Sequence, residues 1–218
     1  MVTDMPPSNL EKNRQGGKHQ IAGRRDSILE AAESLFLQKG LENTSMVDIA
    51  SQAGITKVTL YRYFPDRNPI AFEIAVRMLR KIAASAEIEG RDPSLENLRG
   101  FALAMIENFH RLRDAYRYIG MFDHLYGDRY PSERLAGWYK NQMIASAWGR
   151  PFFQGSGQAF PQRKPMVMIF NTVMSYLEKM AARGELTSAD GEVPLDEQLS
   201  LFKTMVAGYF DRLMEAGE

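Results

Sequence analysis

The segment Gly54–Phe64, GITKVTLYRYF, places three aromatic rings, two cations and two threonine hydroxyl groups within eleven residues. Hydroxyl and ammonium groups can donate hydrogen bonds to phosphate oxygens or to base edges, and the methyl groups of Val58 can contact the methyl group of thymine. If Leu60, Phe64 and Ile55 face inward, the outer faces of this helix carry Lys57, Val58, Thr59, Tyr61 and Tyr63. The segment is too polar for a core helix and too aromatic for a solvated one. Its composition favours contact with nucleic acid.

Local signals on both sides predict how this segment is positioned. Ser45 precedes Asp48 by three residues, the spacing of a capping box at the start of a short helix. Gly54 ends that helix, Thr56 can cap the next one, and Pro65 terminates it. Two short capped helices joined by a glycine turn form a helix-turn-helix, whose second helix enters the major groove of DNA.

The periodic segments elsewhere have helical spacing, which predicts an all-α protein. Apolar residues recur every three or four positions in Arg24–Lys39, and Gly40 follows as a left-handed stop. Asp66 can cap a fourth helix with Pro69 in its first turn. The longer helices are expected at Pro69–Ile88, Leu95–Leu112, Ala115–Tyr126, Ser132–Trp148, Pro165–Arg183 and Leu195–Ala216. We therefore expect a flexible basic arm over residues 1–23, a helix-turn-helix domain over 24–70 and a larger helical domain over 71–218.

The charge of the chain is balanced overall but uneven along it. Lys and Arg total 27, as do Asp and Glu. Five cations lie between residues 11 and 25, namely Lys12, Arg14, Lys18, Arg24 and Arg25. The polar N-terminal segment is expected to be disordered in isolation. It is either an inert tail or an arm that binds nucleic acid.

Several classes of function are disfavoured by what the sequence lacks. Cysteine is absent and there are three histidines, so thiolate metal sites and thiol nucleophiles are excluded. No HExxH, GxSxG or phosphate-binding P-loop motif occurs, so we expect neither an enzyme nor a bound cofactor or metal. The N-terminus has no apolar secretory core, and no apolar run is long enough to span a membrane. A cytoplasmic protein is expected.

The stretch TSMVDIASQAGITKVTLYRYFPDR, after a first helix that ends at Gly40, resembles the DNA-binding domain of TetR-type transcriptional regulators. The detailed resemblance covers about Arg24 to Phe72, and beyond it only the architecture is similar. It implies that Thr59 and Tyr61 touch phosphate and bases, that Lys57 and Val58 set operator sequence, and that Tyr63 reaches the DNA backbone. The residues expected at the DNA are Arg24, Arg25, Ser45, Val47, Thr56, Lys57, Val58, Thr59, Tyr61, Tyr63 and Arg67.

Three of these positions depend on the resemblance in particular ways. Ser45 and the start of the second helix correspond to a phosphate site, and Arg67 replaces a common lysine at a phosphate-contacting position. Val47 stands where the family often has a polar residue, so a base contact is either lost or exchanged for a methyl contact. The segment Asn68–Ile70 also departs from the family pattern at the start of the fourth helix.

The larger domain is rich in rings and thioethers, which form either an ordinary helical core or a pocket. The resemblance implies a pocket, and few charges lie in the inward-facing set, so an apolar or aromatic ligand is expected. The candidate lining residues are Phe109, Tyr116, Met121, Phe122, Trp138, Met143, Trp148, Met166, Phe170 and Met174.

Broad apolar faces on the last two helices are expected to pair across a two-fold axis, as the resemblance implies. The candidate interface residues are Val173, Leu177, Leu199, Phe202, Val206 and Tyr209. These features together favour a homodimeric regulator, most simply a repressor released from a palindromic operator by an apolar or aromatic small molecule. The alternative is a similar DNA-binding protein whose larger domain binds a protein partner, or only dimerises, without a small-molecule inducer.

Overall fold

The computed structural model describes the backbone over residues 9–85, 95–126, 163–183 and 193–216, and within these ranges the side chains from residue 23 onward except those of residues 163–167 and 170. Every regular element in these ranges is an α-helix, which confirms the predicted all-α class. The helices are α1 (Asn9–Lys39), α2 (Met46–Gln52), α3 (Lys57–Tyr63), α4 (Arg67–Ser85), α5 (Leu95–Glu107), α6 (Phe109–Tyr126), α7 (Arg163–Arg183) and α8 (Leu195–Glu215). The predicted helix Ser132–Trp148 lies outside the described residues.

The chain divides into two compact units after Ile74, which we call unit 1 (residues 1–74) and unit 2 (residues 75–218). In unit 1 one face of α1 packs against α2, and α2 packs against α3. Its core includes fully buried Ile28, Phe36, Ile49, Leu60 and Phe64. These five side chains come from α1, α2 and the α3 segment, so burial of apolar surface sets the angle at which the short helices are held.

Helix α1 is longer than the sequence predicts. It begins at Asn9, so residues 9–23, which were expected to be disordered, are helical. Extending an existing helix costs far less than nucleating a new one, because each added residue gains one hydrogen bond. The buried segment from Ile28 onward is the helical part to which residues 9–23 are added. Gly40, with a φ of 86°, ends the helix in the left-handed conformation, as predicted.

Unit 2 is formed by four described helices and the end of α4. Helix α6 packs mainly against α7, and α5 packs mainly against α8. Its buried rings include Phe101, Phe109, Tyr118, Phe122 and Phe210. None of the described helices combines the length and the apolar character needed to cross a membrane.

The break between α5 and α6 falls at Asn108, and the predicted break near residue 113 is wrong. The Asn108 Nδ2 donates to the Ala104 carbonyl at 2.9 Å and to the Ser85 carbonyl at 3.3 Å. A side-chain amide that bonds to nearby carbonyls competes with the backbone pattern of a helix. The sequence offers neither glycine nor proline at this point, so this break carries no strong local signal.

Candidate nucleic-acid interface

Short-range hydrogen bonds fix both ends of the helix-turn-helix as predicted. The Asp48 N–H donates to Ser45 Oγ at 3.1 Å, and the Ser45 N–H donates to Asp48 Oδ2 at 2.9 Å, which completes the capping box of α2. Gly54 has a φ of 64°, a left-handed conformation that suits glycine at the turn. Thr56 then caps α3 by accepting the Thr59 N–H at 3.2 Å.

The outer face of α3 carries the side chains that the sequence predicts for DNA contact. Val58 is 76% exposed and Tyr61 is 45% exposed, so both side chains are accessible to a partner. The Lys57 ammonium lies 5.7 Å from the centre of the Tyr61 ring, one helical turn away. Val47, on α2, is 55% exposed. These two short helices therefore present three apolar or aromatic side chains to solvent, together with the cations Lys57 and Arg62.

Three of the predicted hydroxyl groups already have partners within the protein. The Thr56 and Thr59 hydroxyl oxygens lie 2.9 Å apart, and the Ser45 hydroxyl donates to Asp48 Oδ2 at 2.8 Å. The hydrogen bonds from the Ser45 N–H and hydroxyl lower the pKa of Asp48, and the nearby Lys39 contributes further. A carboxylate therefore stands beside the predicted phosphate site at Ser45, and Ser45 can donate to phosphate only by rotating its hydroxyl away from Asp48.

Arg25, which was predicted to contact DNA, makes several contacts within unit 1. Its guanidinium forms an ion pair with Glu73 of α4, with Nε donating to Glu73 Oε2 at 3.2 Å. Nη1 donates to the Tyr63 carbonyl at 3.3 Å, and the guanidinium carbon lies 4.2 Å from the centre of the Phe64 ring. The side chain is therefore committed to contacts within unit 1.

Arg67 is also engaged by the protein itself. Its Nη1 donates to three backbone carbonyls of the segment between α1 and α2, those of Leu41 at 2.6 Å, Glu42 at 3.0 Å and Thr44 at 3.1 Å. This contact ties the start of α4 to the residue that precedes the cap of α2. Of the other predicted residues, Arg24 and Lys57 are exposed and Tyr63 is half-buried.

Two residues in this unit were missed by the sequence analysis. Glu73 holds Arg25, and Lys39 Nζ lies 3.7 Å from Asp48 Oδ1 beside the start of α2. Neither has a sequence signal of its own, because each acts through a partner at least nine residues away in the chain.

The predicted ligand-binding residues lie in unit 2, and about half of them can be placed. Phe109, Tyr116, Phe122 and Met174 are buried, and Met121 is half-buried. The Phe109 and Tyr116 rings stack with centres 5.9 Å apart, and the Tyr116 hydroxyl donates to the Met105 carbonyl at 3.2 Å. Burial raises the pKa of Tyr116. The predictions at Trp138, Met143 and Trp148 and for the side chains of Met166 and Phe170 lie outside the described residues.

A half-buried acid, which the sequence analysis did not anticipate, lies at the contact between α6 and α7. Glu178 of α7 packs over Gly120 of α6, where a Cβ atom at residue 120 would lie 3.4 Å from the Glu178 Cβ. Burial raises the pKa of Glu178 to about 8, and the like charge of Asp123 adds to the shift. The contact between α6 and α7 therefore contains a carboxyl group that holds its proton at neutral pH.

The predicted dimer residues prove to be inside the protomer, with one exception. Val173, Leu177, Leu199, Phe202 and Val206 are buried within the single chain. The Phe202 ring, for example, stacks on Tyr176 of α7 with centres 3.8 Å apart. The apolar residues of α8 occupy two faces, because positions 199, 202, 206 and 210 follow one stripe and 201, 205 and 209 another. Only the second stripe is exposed, and it includes the predicted Tyr209.

Comparison with known proteins agrees with the geometry of unit 1. Residues 28–74 match the family described as bacterial regulatory proteins, tetR family. The HTH-type transcriptional repressor KstR2 of Mycolicibacterium smegmatis is 31% identical over 90 residues, which cover 40% of this chain and 44% of that protein. The HTH-type transcriptional regulator SAB2452 of Staphylococcus aureus is 44% identical over 55 residues, 25% of this chain and 30% of that protein. The matched segments thus span less than half the length of these relatives.

The fold has solved counterparts over most of the chain. A TetR family transcription regulator from Marinobacter aquaeolei superposes with a TM-score of 0.55 at 19% identity, covering 88% of this chain and 97% of that one. The matched family and these relatives are regulators of transcription, which agrees with the expectation of a regulator rather than an enzyme. Residues 28–74 therefore form a helix-turn-helix domain of the TetR family of bacterial regulatory proteins.

Proposed function

We propose that this chain is a homodimeric transcriptional repressor that binds a palindromic operator by inserting α3 into the major groove. The observation that carries the proposal is the two-sided character of α3. Leu60, and Phe64 directly after the end of α3, are fully buried. Lys57, Val58 and Tyr61 are exposed to solvent on the other side of this capped helix. The N-terminal part of a recognition helix supplies the side chains that reach base edges.

Selection of DNA by the purified protein tests this proposal. The wild-type protein is incubated with a random duplex pool, and the bound fragments are sequenced over successive rounds. We expect enrichment of a palindrome whose half-sites are centred about 34–36 Å apart, one turn of B-DNA. The double variant Lys57→Ala/Tyr61→Ala is the matched control, because both side chains are exposed and their removal leaves the core intact. Failure of the wild-type protein to enrich any sequence would contradict the proposal.

The exposed stripe of α8 supports dimerisation through a second copy of the chain. Leu201 is 59% exposed, Met205 is 61% exposed and Tyr209 is 39% exposed, although all three are apolar or aromatic. Gly208 lies on the same side of the helix, with no heavy atom within 4 Å of where a Cβ would stand. A flat apolar stripe with a glycine permits close approach of two helices, and a two-fold axis brings the same stripe from each protomer together.

A charge in the stripe tests the interface. Met205→Glu should give a monomer by light scattering and lower operator affinity, because one protomer can occupy only one half-site. Ser200→Glu adds the same charge to an exposed position outside the stripe and should leave a dimer. A Met205→Glu protein that remains dimeric would place the interface elsewhere.

We further propose that a small apolar or aromatic molecule binds in unit 2 and releases the operator. This proposal is supported by the buried rings Phe109, Tyr116 and Phe122 in unit 2. A ligand can weaken operator binding only by favouring a conformation in which the two α3 helices have the wrong spacing or tilt. Helix α4 contains the last residues of unit 1 and the first of unit 2, so we propose that it transmits the change.

Titration of a panel of apolar and aromatic compounds separates the sensor from its alternative. A true effector should quench the fluorescence of Trp138 or Trp148, release the selected operator, and itself bind more weakly by the same factor when operator is present. A compound that binds in unit 2 without changing operator affinity would favour the alternative, in which the larger domain serves a protein partner or only dimerisation.

A further inference from the structure

Arg25 connects three elements of unit 1 through one side chain. Its guanidinium holds the carboxylate of Glu73 on α4, donates to the Tyr63 carbonyl at the last residue of α3, and lies 4.2 Å from the centre of the Phe64 ring. Arg25 itself is on α1. A single residue therefore connects the end of α3 to both α1 and α4.

We propose that Arg25 is a positioning residue for DNA recognition, which holds the carboxyl end of α3 at its working angle through Glu73 and does not itself bind DNA. This inference rests on the proposed DNA-binding function. A planar guanidinium can hold a carboxylate with two parallel hydrogen bonds while its face covers an aromatic ring, and an ammonium group cannot do both. The geometry at Arg25 uses both properties.

The ion pair also predicts how neutralising Glu73 should affect DNA binding. Glu73 lies one residue before the division between the units. An acid in a DNA-binding unit weakens attraction to phosphate, so neutralising it should strengthen binding if charge were its only effect. If Glu73 anchors Arg25, the opposite sign is expected. Removal of the carboxylate frees the end of α3, and affinity falls.

The sign of the Glu73→Gln effect is the decisive measurement. Binding of a duplex that the wild-type protein has selected from a random pool is compared for wild type, Glu73→Gln and Glu30→Gln. Glu30 is an exposed acid on α1, so its variant removes the same charge without touching the Arg25 contact. We expect Glu73→Gln to lower affinity by about tenfold, and Glu30→Gln to leave it unchanged or slightly higher.

Substitutions at Arg25 complete the test. Arg25→Ala should cost about as much as Glu73→Gln, and the double variant should cost little more than either single one, because both remove the same contact. Arg25→Lys keeps the charge and should recover little affinity, whereas a residue that contacts phosphate as a point charge would be largely replaced by lysine. Should Arg25→Ala not fold, Arg25→Lys and Glu73→Gln still give the answer.

Thermal denaturation separates positioning from a general loss of stability. Affinities are measured well below the melting temperature of each variant. An affinity that falls in the folded Glu73→Gln protein supports the proposal. Unchanged or increased affinity for Glu73→Gln, strict additivity in the double variant, or full rescue by Arg25→Lys would each overturn it. Absence of any selected duplex for wild type would instead count against DNA binding itself.

Discussion

The shielded carboxyl group of Glu178 makes the stability of unit 2 depend on pH in an unusual direction. A carboxyl group that ionises more readily in the native state makes a protein more stable as pH rises. Glu178 is the opposite case, because burial raises its pKa to about 8 from its ordinary value of 4.5. Between these two values the native state holds a proton that the unfolded chain has lost. Linkage then requires the free energy of unfolding to fall as pH rises through this interval.

The size of the effect follows from one proton. A group that is protonated only in the native state changes the free energy of unfolding by about 1.4 kcal/mol per pH unit. Below the unfolded pKa, near 4.5, the burial of Glu178 carries no ionisation cost, and above about pH 8 the cost is fully expressed. The range from pH 6 to 7.5 is the most informative, because ordinary carboxyl groups are already ionised there.

Glu178→Gln isolates this contribution, since the amide has the same shape and does not titrate. Urea unfolding is followed by tryptophan fluorescence at fixed protein concentration and ionic strength, and both tryptophans lie within unit 2. The variant should stay within about 1 kcal/mol of wild type near pH 5 and exceed it by an amount that grows at about 1 kcal/mol per pH unit between pH 6 and 7.5. Glu215→Gln, at an exposed site on α8, should show no such growth. Parallel curves for wild type and Glu178→Gln would refute the reasoning.

Three further predictions concern the DNA interface. Thr59→Ala and Tyr61→Ala should weaken binding to every duplex, whereas Lys57→Ala should also change base preference by about 1–3 kcal/mol on a randomised panel. Unchanged binding in all three variants would mean that α3 is not part of the DNA interface. Replacing a contacted thymine by deoxyuridine should weaken the wild-type protein but not Val58→Ala, while an equal loss in both would mean that another group reads the methyl. Deletion of residues 1–23 should lower the slope of log affinity against log salt by about 0.9 for each phosphate that the shortened protein no longer neutralises, and an identical slope would make that segment inert.

The elements that the sequence predicts well are those decided by neighbouring residues. The capping box of Ser45 and Asp48, the turn at Gly54 and the cap at Thr56 all form as expected. Each depends on a hydrogen bond or a backbone angle within about four residues. Because these signals are local and occur in order, the residue types alone locate the helix-turn-helix and its outward side chains.

What could not be predicted depends on partners far along the chain. Arg25 looks like a free cation in the sequence, but its carboxylate partner is 48 residues away, and Arg67 bonds to carbonyls at least 23 residues away. The α5–α6 break at Asn108 involves the distant Ser85 carbonyl. On α8, spacing alone could not tell which of two apolar stripes, those of Phe202 and Met205, belongs to the core.

The charge of the helix-turn-helix domain leads to a final prediction about how DNA is recognised. Residues 24–74 of unit 1 contain six Lys and Arg side chains and seven Asp and Glu side chains, so the net charge of this segment does not favour binding to phosphate. Arg25 and Arg67 are engaged by the protein, and Lys39 lies near Asp48. The cations that remain exposed on this unit's described surface away from such contacts are Arg24, Lys57 and Arg62.

The affinity that residues 24–74 contribute should therefore come mainly from short-range contacts by Val47, Val58 and Tyr61. Salt has little effect on such contacts. If three cations per protomer meet phosphates, a dimer that lacks residues 1–23 should show a log–log salt slope of about 5. Titration of the selected duplex between about 50 and about 300 mM salt measures this slope directly. A much steeper slope would mean that Arg25 or Arg67 leaves its partners when DNA binds, and the exposed apolar face of α2 and α3 would then matter less than charge.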